Sequence, residues 1–206
     1  MLRLIDFPAD GASEKILILL CGAGEDTDKI LAGLTQDCAV AVVASDDWNA
    51  DYSPWQADGF AGQGAAALHW LREKILAEYP GREYYLAGYS LAGLFALWAY
   101  YEESSFAGAA CVSGSLWYPG WQEYVRPVRQ SKGRVYLSLG GKEAKSGDPR
   151  IATVAQAFQA QYEECKKDNL ITAVKYELNP GGHFSQVEKR IAKGINWLCG
   201  AGRHAD

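Results

Sequence analysis

Short apolar runs alternate with helical patterns along this chain, and this alternation limits the possible fold more than any other feature. Strand-like runs occupy Lys15 to Leu20, Cys38 to Ala44, Tyr84 to Ala87, Gly108 to Val112, Val135 to Leu139 and Thr172 to Leu178. Helical spacing of apolar residues occurs between or after them, within Ala65 to Tyr79, Leu91 to Tyr101, Ile151 to Tyr162 and Val187 to Ile195. Short continuous apolar runs are typical of strands that are covered on both faces. The order therefore predicts an α/β fold: a mostly parallel sheet with helices on both faces.

The rest of the chain adds one predicted strand and gives no sign of a second domain. The segment Leu2 to Phe7 is predicted to add an antiparallel edge strand. The chain has 206 residues, of which 49% are hydrophobic and 22% charged, a balance that suits one globular domain spanning residues 1–206. No repeat or linker interrupts it, and no segment is long enough to form a large cap domain.

Composition also excludes several classes of partner. The formal net charge is -5 and no basic run occurs, so a nucleic-acid partner is not expected. No apolar run reaches the length of a membrane span, so no membrane association is expected. The five cysteines contain no CxxC pair and predict buried thiols in a reducing compartment. The first fifteen residues carry acidic side chains and no long apolar stretch, unlike a signal peptide. These observations predict a cytoplasmic location.

The most informative motif is a serine between a strand and a helix. Its sequence is Gly88-Tyr89-Ser90-Leu91-Ala92-Gly93. A strand, a sharp turn carrying serine and then a helix form the context of a nucleophile elbow, whose flanking residues must be small. Ala92 stands where the usual pattern has glycine. The alternative is that Ser90 only caps the helix, but the complete context favours a nucleophile.

A histidine follows the last predicted strand. His183 lies in the glycine-rich turn Asn179-Pro180-Gly181-Gly182-His183-Phe184, which would leave its imidazole free to reach a serine hydroxyl. His69 lies in a helical pattern, and His204 lies near the end of the sequence. We therefore expect His183 to be the general base, although it is also compatible with a surface loop.

An acid that orients this histidine should lie between serine and histidine in chain order, directly after a strand. Glu143 follows Val135 to Leu139 in such a turn. Asp148 is the rival, but it precedes Pro149, and this pair is typical of a helix N-cap and first helical residue. Glu143 is favoured, and both candidates stay open at this point.

An elbow also needs backbone N–H groups that bind an oxyanion. Leu91 supplies the first by its position after Ser90. Gly22 or Ala23, in the loop after the first long strand, is predicted to supply the second. The segment Gly22-Ala23-Gly24 lacks the spacing of a phosphate-binding loop, so no nucleotide is expected.

Aromatic residues follow two other predicted strands. They are Trp48, Trp55, Trp117, Tyr118 and Trp121. Because ligands bind at the carboxyl ends of parallel strands, Trp48, Trp55, Trp117 and Tyr118 are candidates for a substrate-binding wall. Ordinary packing over the sheet edge is the alternative.

Together these segments resemble the α/β-hydrolase superfamily and, within it, a group of small bacterial serine esterases. The resemblance rests on GYSLAGLFALWA around Ser90, VSGSLWYPGW from Val112, YLSLGGKEAK from Tyr136, DWNADYSPW and GGHF at His183. It implies the α/β-hydrolase fold, with Ser90 as nucleophile and His183 as base. The group places its acid variably in the turn that holds Glu143.

These features predict a serine hydrolase that forms an acyl-enzyme on Ser90. The resemblance favours a small-molecule carboxylic ester as substrate, with thioesters or short peptides as alternatives. No metal or cofactor is required, and the oligomeric state is left open. A different class, a non-catalytic binding protein on a hydrolase scaffold, also fits the fold. The presence of serine, histidine and an acid in the expected order favours the enzyme.

Overall fold

A mostly parallel sheet lies at the centre of the fold. The computed structural model describes residues 1–7, 13–36, 38–125, 132–145 and 147–200. Within these ranges the strands are β1 (Leu2–Asp6), β2 (Lys15–Gly22), β3 (Ala39–Ser45), β4 (Glu83–Tyr89), β5 (Phe106–Val112), β6 (Gly133–Gly140) and β7 (Ile171–Asn179). Their spatial order is β1-β3-β2-β4-β5-β6-β7. The predicted α/β class and mostly parallel sheet are confirmed.

The predicted edge strand is also confirmed. β1 pairs antiparallel with β3, with Leu2 opposite Ser45. The other strands pair in parallel, for example Gly88 of β4 opposite Cys111 of β5. Parallel pairing directs the carboxyl ends of β2 to β7 to one edge, and the loops there carry the candidate residues.

Helices cover both faces of the sheet, as predicted. They are α1 (Asp28–Ala32), α2 (Trp48–Asp51), α3 (Gly64–Leu71), α4 (Leu91–Glu102), α5 (Trp121–Val125), α6 (Pro149–Ala152), α7 (Val154–Lys167) and α8 (Val187–Cys199). Alternate residues of β2 point to opposite faces. Ile18 joins the cluster formed with α3, α4 and α7, whereas Leu19 joins the cluster formed with α1 and α8.

Two predicted helices differ from the expectation. The segment Ile151 to Tyr162 is divided between α6 and α7, because the Thr153 hydroxyl and N–H both bond back to the Arg150 carbonyl and tighten the turn. After α3, the chain continues as a π-helical turn over Arg72–Leu76. No helix in the described parts of the chain has the length and apolarity to cross a membrane.

Candidate active site

Ser90 lies on a strained turn between β4 and α4. Its φ and ψ are 56° and -123°, a conformation that costs a non-glycine residue free energy. The turn is held by the Ser90 N–H, which donates to the Val112 carbonyl at 3.0 Å, and by the Ser115 N–H, which donates to the Ser90 carbonyl at 3.1 Å. This geometry turns the Ser90 hydroxyl toward the open edge of the sheet, where it can meet a histidine.

The elbow requires glycine at position 88. A Cβ built on Gly88 would come 2.3 Å from the Ala92 carbonyl oxygen. Gly93 approaches closely too, because a Cβ there would lie 2.9 Å from the Gly88 carbonyl oxygen. Ala92, the departure from the usual pattern, is fully buried. Its methyl group is therefore accommodated, since Gly88 and Gly93 provide the close approach.

His183 contacts the serine. Its Nε2 lies 3.2 Å from Ser90 Oγ. The Tyr89 hydroxyl donates to the His183 carbonyl at 2.6 Å, and the centroids of the two rings lie 4.8 Å apart. Tyr89 therefore holds the turn that carries His183. His69 instead lies in α3 beside Glu73, and His204 lies outside the described residues.

Glu143, of the two acids left open by the sequence, contacts this histidine. Its Oε2 lies 2.8 Å from His183 Nδ1. Asp148 instead caps α6, where it accepts from the Arg150 N–H at 2.8 Å and forms an ion pair with the Arg150 guanidinium. The cap role of Asp148 was anticipated from its position before proline.

The second oxygen of Glu143 accepts several hydrogen bonds. Oε1 receives the Ser113 hydroxyl at 2.5 Å, the Gly140 N–H at 2.6 Å and the Arg190 guanidinium at 3.3 Å. Burial alone raises the pKa of Glu143, but hydrogen bonds from His183, Ser113 and Gly140 outweigh it and hold the pKa below its usual value. The carboxylate is therefore ionised and fixed in orientation.

Two residues of this network were not identified from the sequence. Arg190 of α8 is 2% exposed; it donates to the Ser113 hydroxyl and, at 3.4 Å, to the His183 carbonyl. Ser113 follows β5 and has a positive φ of 46°. A signal for Arg190 did exist, because it lies three residues after Val187 on the apolar face of α8, where a charge needs a partner.

The expected oxyanion donors differ in their availability. Leu91 is the first residue of α4, where helix N–H groups have no intrahelical acceptor. The Ala23 N–H donates to the Ser45 carbonyl at 2.9 Å, because the β2–β3 ladder continues one residue past Gly22. Binding an oxyanion at Ala23 would require this bond to be shared. The Glu25 carboxylate lies beside Gly22, 3.1 Å from a Cβ built there.

A cavity of about 420 Å³ opens beside Ser90 and His183. Of the four aromatic candidates, Trp117 borders it and the others do not. Trp55 and Tyr118 pack against each other, and the Tyr118 hydroxyl donates to the Trp55 carbonyl at 2.6 Å. Trp48 packs edge-on against Tyr52. The packing alternative therefore describes three of the four in this structure.

Comparison with known proteins gives matches among solved structures alone. No protein-family model matches the chain, and no curated protein matches it significantly. An IroE-like serine hydrolase from Shewanella oneidensis has a TM-score of 0.73 and 16% identity, over 97% of this chain and 74% of its own. The siderophore hydrolase EstA from Aspergillus nidulans has a TM-score of 0.67 and 17% identity, over 95% of this chain and 85% of its own. A ferulic acid esterase has a TM-score of 0.61 and 13% identity, over 89% of this chain and 84% of its own.

This chain has an α/β-hydrolase-like fold. The expected fold class is thereby confirmed by both the sheet topology and the matched structures. In α/β-hydrolases the nucleophile, acid and histidine follow one another in chain order. Ser90, Glu143 and His183 follow the same order and meet at the carboxyl ends of β4, β6 and β7.

Proposed function

We propose that this protein is a serine ester hydrolase that works through an acyl-enzyme on Ser90. The observation that carries the proposal is a chain of two hydrogen-bond contacts, 3.2 Å from Ser90 Oγ to His183 Nε2 and 2.8 Å from His183 Nδ1 to Glu143 Oε2. A nucleophile, its base and an orienting acid in direct contact form the arrangement required for acyl transfer.

The first half of the reaction acylates the serine. His183 Nε2 removes the proton of the Ser90 hydroxyl while Oγ attacks the ester carbonyl. Glu143 holds Nδ1 in its protonated tautomer and stabilises the imidazolium that forms. The Leu91 N–H binds the oxyanion of the tetrahedral intermediate. His183 then returns its proton to the leaving alcohol, and the acyl group remains on Ser90.

The second half repeats these steps with water. Water takes the place of the alcohol, His183 removes its proton, and the hydroxide attacks the acyl carbonyl. Collapse of this intermediate restores the Ser90 hydroxyl and releases a carboxylic acid. The nucleophile, the base, the orienting acid and the first oxyanion donor are thus all groups of this chain.

Esters are preferred over thioesters and peptides as the substrate class. Support comes from the ferulic acid esterase and the siderophore hydrolase of similar fold, together with the resemblance to small bacterial esterases. The cavity beside Ser90 has a size suited to a small molecule. A reducing compartment such as the cytoplasm is proposed as the location, because Cys21, Cys111, Cys165 and Cys199 are buried in the manner of small core side chains and the sequence has no CxxC pair.

The test is labelling of the purified protein with a fluorophosphonate probe, followed by identification of the modified residue by mass spectrometry. Ser90→Ala and His183→Ala are measured beside the wild type, and Ser105→Ala serves as the control serine, at the amino end of β5. We expect label on Ser90 alone, retained in Ser105→Ala and lost in the other two variants. Hydrolysis of nitrophenyl esters should follow the same pattern.

The opposite result has a clear meaning. If the folded wild type neither labels at Ser90 nor hydrolyses esters, the protein is not a serine ester hydrolase. A binding protein that has kept the hydrolase scaffold would then be the better description.

A further inference from the structure

Two lysine side chains border the cavity beside Ser90. Lys142 and Lys145 belong to its lining, and both are exposed. Neither forms an ion pair with any residue that the structure describes, whereas Lys166 and Lys167 on α7 pair with Glu163 and Glu164. These cations stand out because the protein as a whole carries a net charge of -5.

The remaining charge around the cavity does not cancel these cations. Glu143 is the one acidic side chain among the described lining residues. Its carboxylate already contacts the buried Arg190 guanidinium, and this positive charge compensates the negative charge of Glu143. The cavity therefore presents a net positive field to an incoming ligand.

The backbone holds the two lysines at the rim. The Lys142 N–H donates to the Gly181 carbonyl at 3.0 Å, which ties the acid-bearing turn to the histidine turn. The Lys145 N–H donates to the Lys142 carbonyl at 3.0 Å and closes a short helical turn around Glu143. Both ammonium groups are thus carried on the turn that supplies Glu143.

Apart from Ser113 and Ser115, apolar side chains form the rest of the wall. They are Trp117, Ile151, Val154 and Phe184. Phe184 is 86% exposed and its ring lies edge-on to His183 at 5.0 Å. An exposed aromatic ring beside the base offers contact area that no described neighbour covers. A matching substrate therefore combines an apolar body with a negative charge.

We infer that the preferred substrate is an ester that carries a carboxylate, with its aliphatic or aromatic body against Trp117 and Phe184 and its carboxylate beside Lys142 and Lys145. This inference rests on the proposed esterase activity and specifies its substrate class. The carboxylate forms no covalent bond; it raises the concentration of substrate at Ser90 and orients the ester there.

Two pairs of synthetic esters test the inference and locate the charge. Mono(4-nitrophenyl) glutarate and its methyl ester differ in a charge on the acyl side. 4-Acetoxybenzoate and its methyl ester differ in a charge on the alcohol side. We expect the anionic member of at least one pair to have a kcat/KM about tenfold higher at low salt, since two exposed ion pairs contribute roughly this much. Salt at about 1 M should remove most of the difference.

Matched double variants assign the effect to the two lysines. Lys142→Gln/Lys145→Gln should bring the ratio of anionic to neutral kcat/KM close to one, mainly through the KM of the anionic ester. Lys142→Arg/Lys145→Arg should keep the preference. Lys166→Gln/Lys167→Gln removes the same charge about 18 Å along α7 from Val154, and should leave the ratio at its wild-type value.

The outcomes separate this inference from the proposed function. Hydrolysis of all four esters with ratios near one, or a preference that survives Lys142→Gln/Lys145→Gln, would overturn the inference and leave the esterase intact. If the folded protein neither hydrolyses any of the esters nor labels at Ser90, the proposed function is overturned, and the inference with it.

Discussion

Arg190 Nη2 lies 3.3 Å from Glu143 Oε1, and both side chains are 2% exposed. Arg190 also donates to the Ser113 hydroxyl and to the His183 carbonyl, so one guanidinium contacts both the acid and the histidine turn. Arg190→Met would leave the Glu143 carboxylate buried without its counter-charge. We expect a loss of about 3–5 kcal/mol in unfolding free energy, measured by urea denaturation, because breaking one partner of a buried ion pair is costly.

A positioning role for Arg190 also predicts a change in the pH dependence of activity in Arg190→Met. Without the guanidinium the pKa of Glu143 should rise. The acid limb of the kcat/KM profile should move to higher pH in Arg190→Met, because removal of a buried cation favours protonation of the coupled Glu143–His183 pair, and Arg190→Lys should shift it less. Arg134→Met, which removes a guanidinium stacked on Trp197, is the control and should leave the pH profile unchanged. An unshifted acid limb in Arg190→Met would mean that Arg190 is purely structural.

Glu143→Gln should lower turnover by about 10³- to 10⁴-fold. Oε1 already faces three donors, from Ser113, Gly140 and Arg190, so the carbonyl oxygen of the new amide must take that place. Its NH₂ group then faces His183 Nδ1 and selects the wrong tautomer. Asp148→Asn is the matched control, since asparagine caps a helix as well as aspartate does. Steady-state ester hydrolysis measures both, and equal losses would contradict the assignment of Glu143.

Acid should remove part of the stability that Glu143 provides. Its pKa is lowered in the folded protein, whereas an unfolded glutamate titrates near about 4.3. Its contribution is therefore complete above that value and is lost as the pH falls through the lower folded pKa. The stability difference between wild type and Glu143→Gln, measured by urea midpoints, should shrink as the pH falls below about 4.3. A difference that stays constant down to pH 3 would show that the carboxylate is not linked to folding.

Gly88→Ala should prevent a proper elbow from forming. The added methyl group would lie 2.3 Å from the Ala92 carbonyl oxygen, so β4 and α4 must move apart. We expect a loss of about 2–3 kcal/mol in unfolding free energy and little labelling of Ser90. Gly147→Ala is the control, because a Cβ there meets nothing within 4 Å. Normal labelling of Gly88→Ala would show that the turn tolerates a wider geometry.

Trp117 and Trp55 should respond differently to truncation. Trp117 borders the cavity, so Trp117→Ala should raise the KM for aromatic esters. Trp55 packs against Tyr118, Trp121 and Tyr124, so Trp55→Ala should lower the melting temperature. Steady-state kinetics and thermal denaturation separate the two effects. A larger KM effect for Trp55→Ala would restore the wider aromatic wall expected from the sequence.

Local patterns were sufficient to predict the fold and the positions of the candidate residues. Apolar runs bounded by turns identify strands, and parallel strands direct their carboxyl ends to one edge. Ser90 and His183 were therefore assigned from context, since each follows a strand in a turn of small residues. The helix-cap pattern at Asp148-Pro149 favoured Glu143 over Asp148 without deciding between them.

Tertiary contacts explain what the sequence could not show. The apolar spacing of α8 marks Arg190 as facing the interior, but its contact with Glu143 depends on how α8 crosses the sheet. Trp55 and Trp117 have the same local signal, and one packs while the other borders a cavity. The break at Thr153 depends on a hydroxyl that donates to the Arg150 carbonyl, and the spacing of apolar residues carries no signal for such a bond.

The location of Arg190 on α8 has a consequence for how the protein is made. During synthesis, β4 and the Ser90 elbow leave the ribosome long before His183 and Arg190 do. Until α8 docks beneath β5 and β6, Ser90 has no base and Glu143 has no counter-charge. For the proposed serine hydrolase, this order means that the nascent chain carries Ser90 without its base, and that activity is expected only when the histidine turn and α8 have been added. Reactivity of Ser90 toward a covalent probe would thus report that folding has reached its final stage.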